Sequence, residues 1–155
     1  ALDVIRFRYD FGIVVNPPRH PDLTIVKLYE DEVGFWQSKG SQWRFDLARV
    51  PIIYHPNMMG TETLIAALHD RGLLADCRYV HTSDLRLVSK LTAANGGLGI
   101  LPDTIAETEQ SGALVPCDGS PTLTDQICLI WRSETQSARA PRVIKRAIRN
   151  ALERR

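Results

Sequence analysis

Hydroxyl side chains stand at two helix starts in this sequence, a placement suited to holding a small polar ligand. Thr82 and Ser83 come just before an apolar periodicity, Leu85, Val88 and Leu91, and both residue types cap helix starts well. Thr61 opens a second helical stretch, Glu62–Arg71, as its N-cap, with Leu64, Ile65 and Leu68 facing inward and Gly72 at the C-cap. Backbone N–H groups at such starts, joined by the hydroxyls, can hold a small anion. Asn16 ends a strand-like run, Asp10–Asn16, and reads as a turn residue or as a ligand contact. His55 begins a loop, His55–Gly60, where its ring can meet a polar ligand. Met58 and Met59 in that loop suit the lining of a pocket, because methionine fills irregular spaces.

Other chemistry has no signature here. H-E-x-x-H, paired CxxC and EF-hand patterns do not occur, so neither a metal site nor a catalytic metal is expected. There is no phosphate-binding G-x-x-x-x-G-K-[ST] and no G-x-S-x-G elbow. Gly96, Gly97 and Gly99 follow a helix and open a strand, the reverse of the dinucleotide-binding order. His20 is expected to be exposed and His69 to lie on a helix surface. His81 ends a strand beside Thr82, but no nucleophile pairs with any of the four histidines. We therefore expect no cofactor and no catalytic residue. Three widely spaced cysteines, Cys77, Cys117 and Cys128, make a poor disulfide framework, and Cys77 and Cys128 sit in apolar runs as small hydrophobes. A reducing cytoplasm fits them.

The elements that position these residues follow from pattern and punctuation. The chain has 155 residues, 44% of them hydrophobic and 24% charged, with a formal net charge of +1. That is the make-up of an ordinary globular protein, with no broad nucleic-acid or membrane-binding charge. No apolar run approaches the ~20 residues of a membrane-spanning helix. Ala1–Arg8 has no signal-peptide core and reads as the tail of an amphipathic helix. Leu23–Tyr29 and Val33–Ser38 read as two strands, with a turn at Lys39–Ser41 flanked by Trp36 and Trp43, both expected to pack in a core. Asp46–Val50 reads as a turn or short helix, Pro51–Tyr54 as a buried strand, and Leu73–Asp76 as a link to the strand Cys77–His81. After Thr82, the helix ends at Asn95, Gly96 and Gly97, residues that tolerate a left-handed backbone. Leu98–Leu101 forms a strand stopped by Pro102. Strand, capped helix and strand make a βαβ unit in a parallel sheet, and ligands bind such sheets at the carboxyl ends of strands. A short helix Asp103–Gln110, strands at Leu114–Pro116 and Gln126–Arg132, and a polar loop Ser133–Ala140 follow. A last helix has Pro141 in its first turn, an apolar stripe of Val143, Ile144, Ala147, Ile148, Ala151 and Leu152, and a solvated basic face.

The series T-S-D-L-R-L-V-S-K-L-T-A-A-N-G-G-L-G-I-L-P at Thr82–Pro102 resembles the effector-binding domain of LysR-type transcriptional regulators. In that family a polar residue opens a helix, and a glycine-bearing turn leads to a short strand ending in proline. Asp10–Val15 (DFGIVV) is similar to another of its strands, and the likeness runs over nearly the whole chain. It implies an α/β fold of two Rossmann-like lobes joined by two crossing strands, as in type 2 periplasmic binding proteins. The second lobe is expected at about residues 40–113, and a partial first lobe at 1–39 and 114–155. The family's opening strand, long helix and strand, its linker helix and its winged-helix domain are expected to precede these residues. The implied function is sensing of a small organic molecule, such as an organic acid, in the interlobe cleft. Thr61, Thr82 and Ser83 would be the polar contacts, with Asn16, His55 and Met59 beside them. Lobe closure would alter a homodimer or homotetramer and the spacing of domains on promoter DNA. A solute-binding protein of a transport system, which shares the lobes, is the alternative reading, and an enzyme on the same scaffold the third.

Overall fold

The computed structural model describes residues 1–6, 8–41, 50–72, 77–109, 112–134 and 139–152. The readings at Phe7, Trp43, Asp46–Arg49, Leu73–Asp76 and Gln110, and at 135–138 in the polar loop, lie outside these residues. Two compact units emerge, one of Ala1–Asp31 with Asp125–Arg155 and one of Glu32–Thr124.

The first unit holds helix α1 (Leu2–Ile5), strand β1 (Phe11–Val15), the first part of β2 (Leu23–Ser38), most of β7 (Leu123–Arg132) and helix α5 (Arg139–Leu152). β1 pairs antiparallel with β7, from Phe11↔Trp131 to Val15↔Ile127. Its β-branched run, Ile13-Val14-Val15, favours the extended backbone. Val4, Leu23, Cys128 and Ile130 are buried together beneath it. Along α5, Ile144 and Ile148 are half-buried, while Val143 is 50% exposed, so the apolar stripe is only partly covered.

The second unit contains the rest of β2, with β3 (Ile52–Tyr54), helix α2 (Thr61–Asp70), β4 (Tyr79–His81), helix α3 (Leu85–Ala93), β5 (Leu98–Pro102), helix α4 (Asp103–Glu109) and β6 (Leu114–Pro116). β3 lies between β5 and β4 and is parallel to both, which bears out the expected βαβ unit. β2 is antiparallel to β5 and to β6. Phe35, Ile52, Leu64, Leu68 and Ile100 form one core, and Trp36, Ile53, Val88 and Leu101 another, so Trp36 does pack inside. Leu64 and Leu68, four residues apart on α2, share the buried face that the helical period demands.

β2 corrects one expectation. It is a single strand through Glu30-Asp31-Glu32, where two separate strands were expected. Burial alternates there, with Glu30 and Glu32 exposed and Asp31 and Val33 buried. The two-residue period of a strand continues through the charges, and none of residues 30–32 is glycine or proline.

The turn after α3 forms as its residues predict. Asn95 takes φ +61°, its N–H donates to the Thr92 carbonyl at 2.9 Å, and the Gly96 N–H reaches the Leu91 carbonyl at 3.0 Å. This is the paired hydrogen bonding of a Schellman cap. It delivers the chain to β5, where Leu98 N–H donates to the Pro51 carbonyl at 2.8 Å. All three cysteines are free thiols. Burial, with Asp118 nearby, pushes the Cys117 thiol up to about 12, so it behaves as a packed hydrophobe and not as a nucleophile.

Candidate functional site

β3 and β4 end together. Tyr54 is paired with His81, and the Thr82 N–H continues the ladder to the Tyr54 carbonyl at 3.1 Å. His55 and Thr82 are the next residues after the two strands, so both strand-to-helix junctions leave from neighbouring positions on one sheet edge. Both strands are parallel, so this edge is their carboxyl end, the usual place for a ligand in such sheets.

The first junction is a self-bonded loop. His55 Nδ1 accepts from the Asn57 N–H at 3.1 Å, which places the proton of a neutral ring on Nε2. The His55 carbonyl accepts from the Met58 N–H at 3.2 Å and from Thr61 Oγ1 at 3.4 Å. Thr61 is wholly buried and is the first helical residue, not the cap. The N-cap is Gly60, at φ +83°, and no side chain caps the helix. The left-handed backbone favours glycine there; a Cβ on Gly60 would lie 2.6 Å from Leu123 Cδ1, the end of a side chain that can turn aside. Met59 stands out at 55% exposed, and Met58 packs partly against the core.

The second junction also corrects a cap. Asp84, in extended backbone, caps α3, its Oδ1 accepting from the Arg86 N–H at 2.8 Å. Thr82 Oγ1 accepts from the Asp84 N–H at 3.3 Å, one step earlier. Ser83 is exposed and Thr82 half-buried. The reason is local: an aspartate directly before the first apolar helical residue is the stronger acceptor, and a carboxylate suits the positive end of the helix. That signal was present in Asp84-Leu85. Asp84→Ala should lower the unfolding free energy by about 1 kcal/mol, which thermal melting would register as a fall of roughly 2–4 °C. An unchanged melting temperature would mean that the carboxylate does not act as a cap.

Aromatic side chains flank the edge, and the sequence alone did not bring them together. The Tyr54 ring lies 6.2 Å from that of His81 and edge-on to Tyr79 at 6.3 Å. Tyr79 Oη is 3.0 Å from His69 Nε2. Partial burial, with Cys77 and Tyr54 adding to it, raises the Tyr79 phenol above its ordinary value. His69 and His20 are exposed, as expected. Asn16 belongs to the first unit. Its Nδ2 donates to Asp125 Oδ1 at 2.7 Å and its Oδ1 accepts from the Gln126 N–H at 2.8 Å. The second unit therefore gathers Thr61, Thr82, Ser83, His55 and Met59 at one sheet edge. No group of histidine, cysteine and acidic residues able to hold a metal occurs among the described residues.

A mixed sheet with parallel βαβ units and a polar edge at the strand ends defines an α/β ligand-binding domain. The model of the LysR substrate binding domain family matches residues 1–153, and the chain belongs to that family. It is thus of the kind that forms the effector-binding regulatory domain of LysR-type transcriptional regulators, which favours that reading over a transport protein. No curated protein sequence matches the chain.

Solved structures agree in fold. The bromide-bound regulatory domain of HypT from Salmonella typhimurium is 15% identical with a TM-score of 0.77, over 96% of this chain and 76% of that one. The regulatory domain of MetR from N. meningitidis is 16% identical with a TM-score of 0.68, over 96% and 72%. The CcmR regulatory domain of Synechocystis PCC6803, in complex with 2-PG, is 15% identical with a TM-score of 0.67, over 97% and 76%. No helix among the described residues is long and apolar enough to cross a membrane.

Proposed function

We propose that the edge formed by His55–Gly60 and Thr82–Asp84 binds the polar head of a small organic effector, and that the domain reports its presence to a LysR-type regulator. The observation that carries this reading is the pairing of Tyr54 with His81, which starts both junctions from adjacent residues. Ser83 and Thr82 supply hydroxyls, and His55 Nε2 a further donor. Met59 supplies an exposed apolar contact. Thr61, wholly buried, holds the loop in shape from beneath.

Asp84 narrows the ligand. Its carboxylate already takes the Arg86 N–H, a donor that an anion would otherwise use. A bare carboxylate beside it meets like charge. A head that both accepts from the hydroxyls and donates to Asp84 fits better, as an α-amino acid or its derivative does. The regulator works in the cytoplasm as a dimer or tetramer and meets promoter DNA through a winged-helix domain outside these residues. The effector acts by preferring one conformation of the domain over another.

Titration calorimetry with amino acids and with the matching acids lacking the amine tests the reading. An amino acid should bind about tenfold or more tightly than its deaminated counterpart, and Asp84→Asn should narrow that gap. Equal binding of both classes, or of neither, would overturn this assignment of the ligand.

A further inference from the structure

β1 leaves one edge of the first unit open. Among the described residues it pairs with β7 alone, and it stands at one end of the strand order. Its register fixes which backbone groups face that edge. The Asn16 N–H donates to the Gln126 carbonyl at 2.9 Å, one residue beyond the pair Val15↔Ile127. Hydrogen-bonded and non-bonded pairs alternate in an antiparallel ladder, so Gly12 and Val14 also bond to β7. The N–H and C=O groups of Phe11, Ile13 and Val15 therefore point to the open edge, where no described residue bonds to them. The side chains there are apolar and uncovered: Ile13 is 60% exposed and Val15 38%, on one face of the strand. Edge strands are commonly guarded by charge, proline or shortness. β1 (Phe-Gly-Ile-Val-Val) has neither charge nor proline, whereas β4, the strand at the other end of the order, is only three residues long.

We propose that the open edge of β1 pairs antiparallel with β1 of a second copy of this chain, about a two-fold axis at Ile13. Phe11 then meets Val15 of the partner subunit, and Ile13 meets Ile13 of the partner subunit. Every outward-facing group sits at a position that this axis carries onto another outward-facing group, so each pair exchanges both of its N–H···O bonds. The side chains select the occupant. A strand laid beside β1 must bring apolar residues to alternate positions next to Ile13 and Val15, and β1 itself does so. A five-residue pairing buries less surface than a permanent dimer needs, so the contact is reversible, with a Kd of about 10–100 μM. The pairing stands apart from the effector reading, and its test needs no ligand.

Sedimentation equilibrium of the whole chain, from about 1 μM to 1 mM, should show a monomer–dimer equilibrium. Hydrogen–deuterium exchange at single amides locates it. The Phe11, Ile13 and Val15 amides should exchange about fivefold or more slowly at the high concentration, while Gly12 and Val14 are protected at both. Ile13→Lys and Ile13→Glu each set like charges face to face at the axis and should weaken pairing about tenfold or more. An equimolar mixture of the two variants sets opposite charges there and should return to within about threefold of the parent. Ile13 is exposed, so both variants should keep the fold, which thermal melting checks. A parent chain that stays monomeric throughout would overturn the proposal. So would a dimer whose slowed amides lie outside β1, or a dimer that Ile13→Lys leaves intact, because either result puts the contact on another face.

Discussion

Gly97→Ala is expected to lower the unfolding free energy by roughly 4 kcal/mol or more. The glycine has φ +151° and is buried where the chain leaves α3 for β5. A Cβ there would stand 2.3 Å from the Pro51 carbonyl oxygen and 2.9 Å from Pro51 Cβ. The oxygen cannot move aside without loss, because it accepts the Leu98 N–H at 2.8 Å beside the Ile52↔Leu98 pair that begins the β3–β5 ladder. Relief of the clash therefore breaks a buried backbone hydrogen bond and separates the two strands at their first contact. Gly119→Ala is the control. Its φ is +74° and nothing lies within 4 Å of an added Cβ, so it carries only the backbone cost, about 1–2 kcal/mol. Thermal melting should place Gly97→Ala roughly 5–10 °C below Gly119→Ala. Melting temperatures that coincide would show that the approach of Gly97 to Pro51 is not what demands glycine.

Local punctuation made much of the second unit legible. Asn95 was readable as a left-handed stop because its side chain and its position after an apolar stripe both say so, and the Schellman bonds form there. Strands β3 and β5 were readable as short apolar runs between breakers. Where two acceptable caps compete, sequence position alone decides poorly. Thr61 looks like a cap, but the helix starts one residue earlier than its hydroxyl suggests, from Gly60 in a left-handed backbone at φ +83° that glycine adopts most readily. Thr82 and Ser83 look like caps as well, but Asp84 is nearer the first helical turn and carries charge. The charged stretch Glu30-Asp31-Glu32 hid the continuity of β2, because the test of a strand is which side chains alternate into the core, and that is a tertiary fact. The grouping of Tyr54, Tyr79, His81 and His69 depends on strand register, which no local pattern specifies.

Replacing Thr82 and Ser83 together by alanine should weaken effector binding by about a hundredfold, roughly tenfold for each hydrogen bond removed from a charged or strongly polar head. The two hydroxyls differ in what else they do. Ser83 is exposed, so Ser83→Ala should leave the melting temperature almost unchanged. Thr82 Oγ1 accepts from the Asp84 N–H at 3.3 Å, a long bond, and Thr82→Ala should cost no more than about 1 kcal/mol of stability. The Tyr54 carbonyl keeps its bond from the Thr82 main chain in either variant, so the sheet edge itself persists. Calorimetry with the tightest ligand of the parent chain, run beside thermal melting, separates the two effects. If affinity falls only in step with stability, the hydroxyls shape the junction without touching the ligand. If affinity stays at the parent value while the fold is intact, the ligand binds elsewhere, because no polar head seated between His55 and Ser83 could lose both partners without weakening.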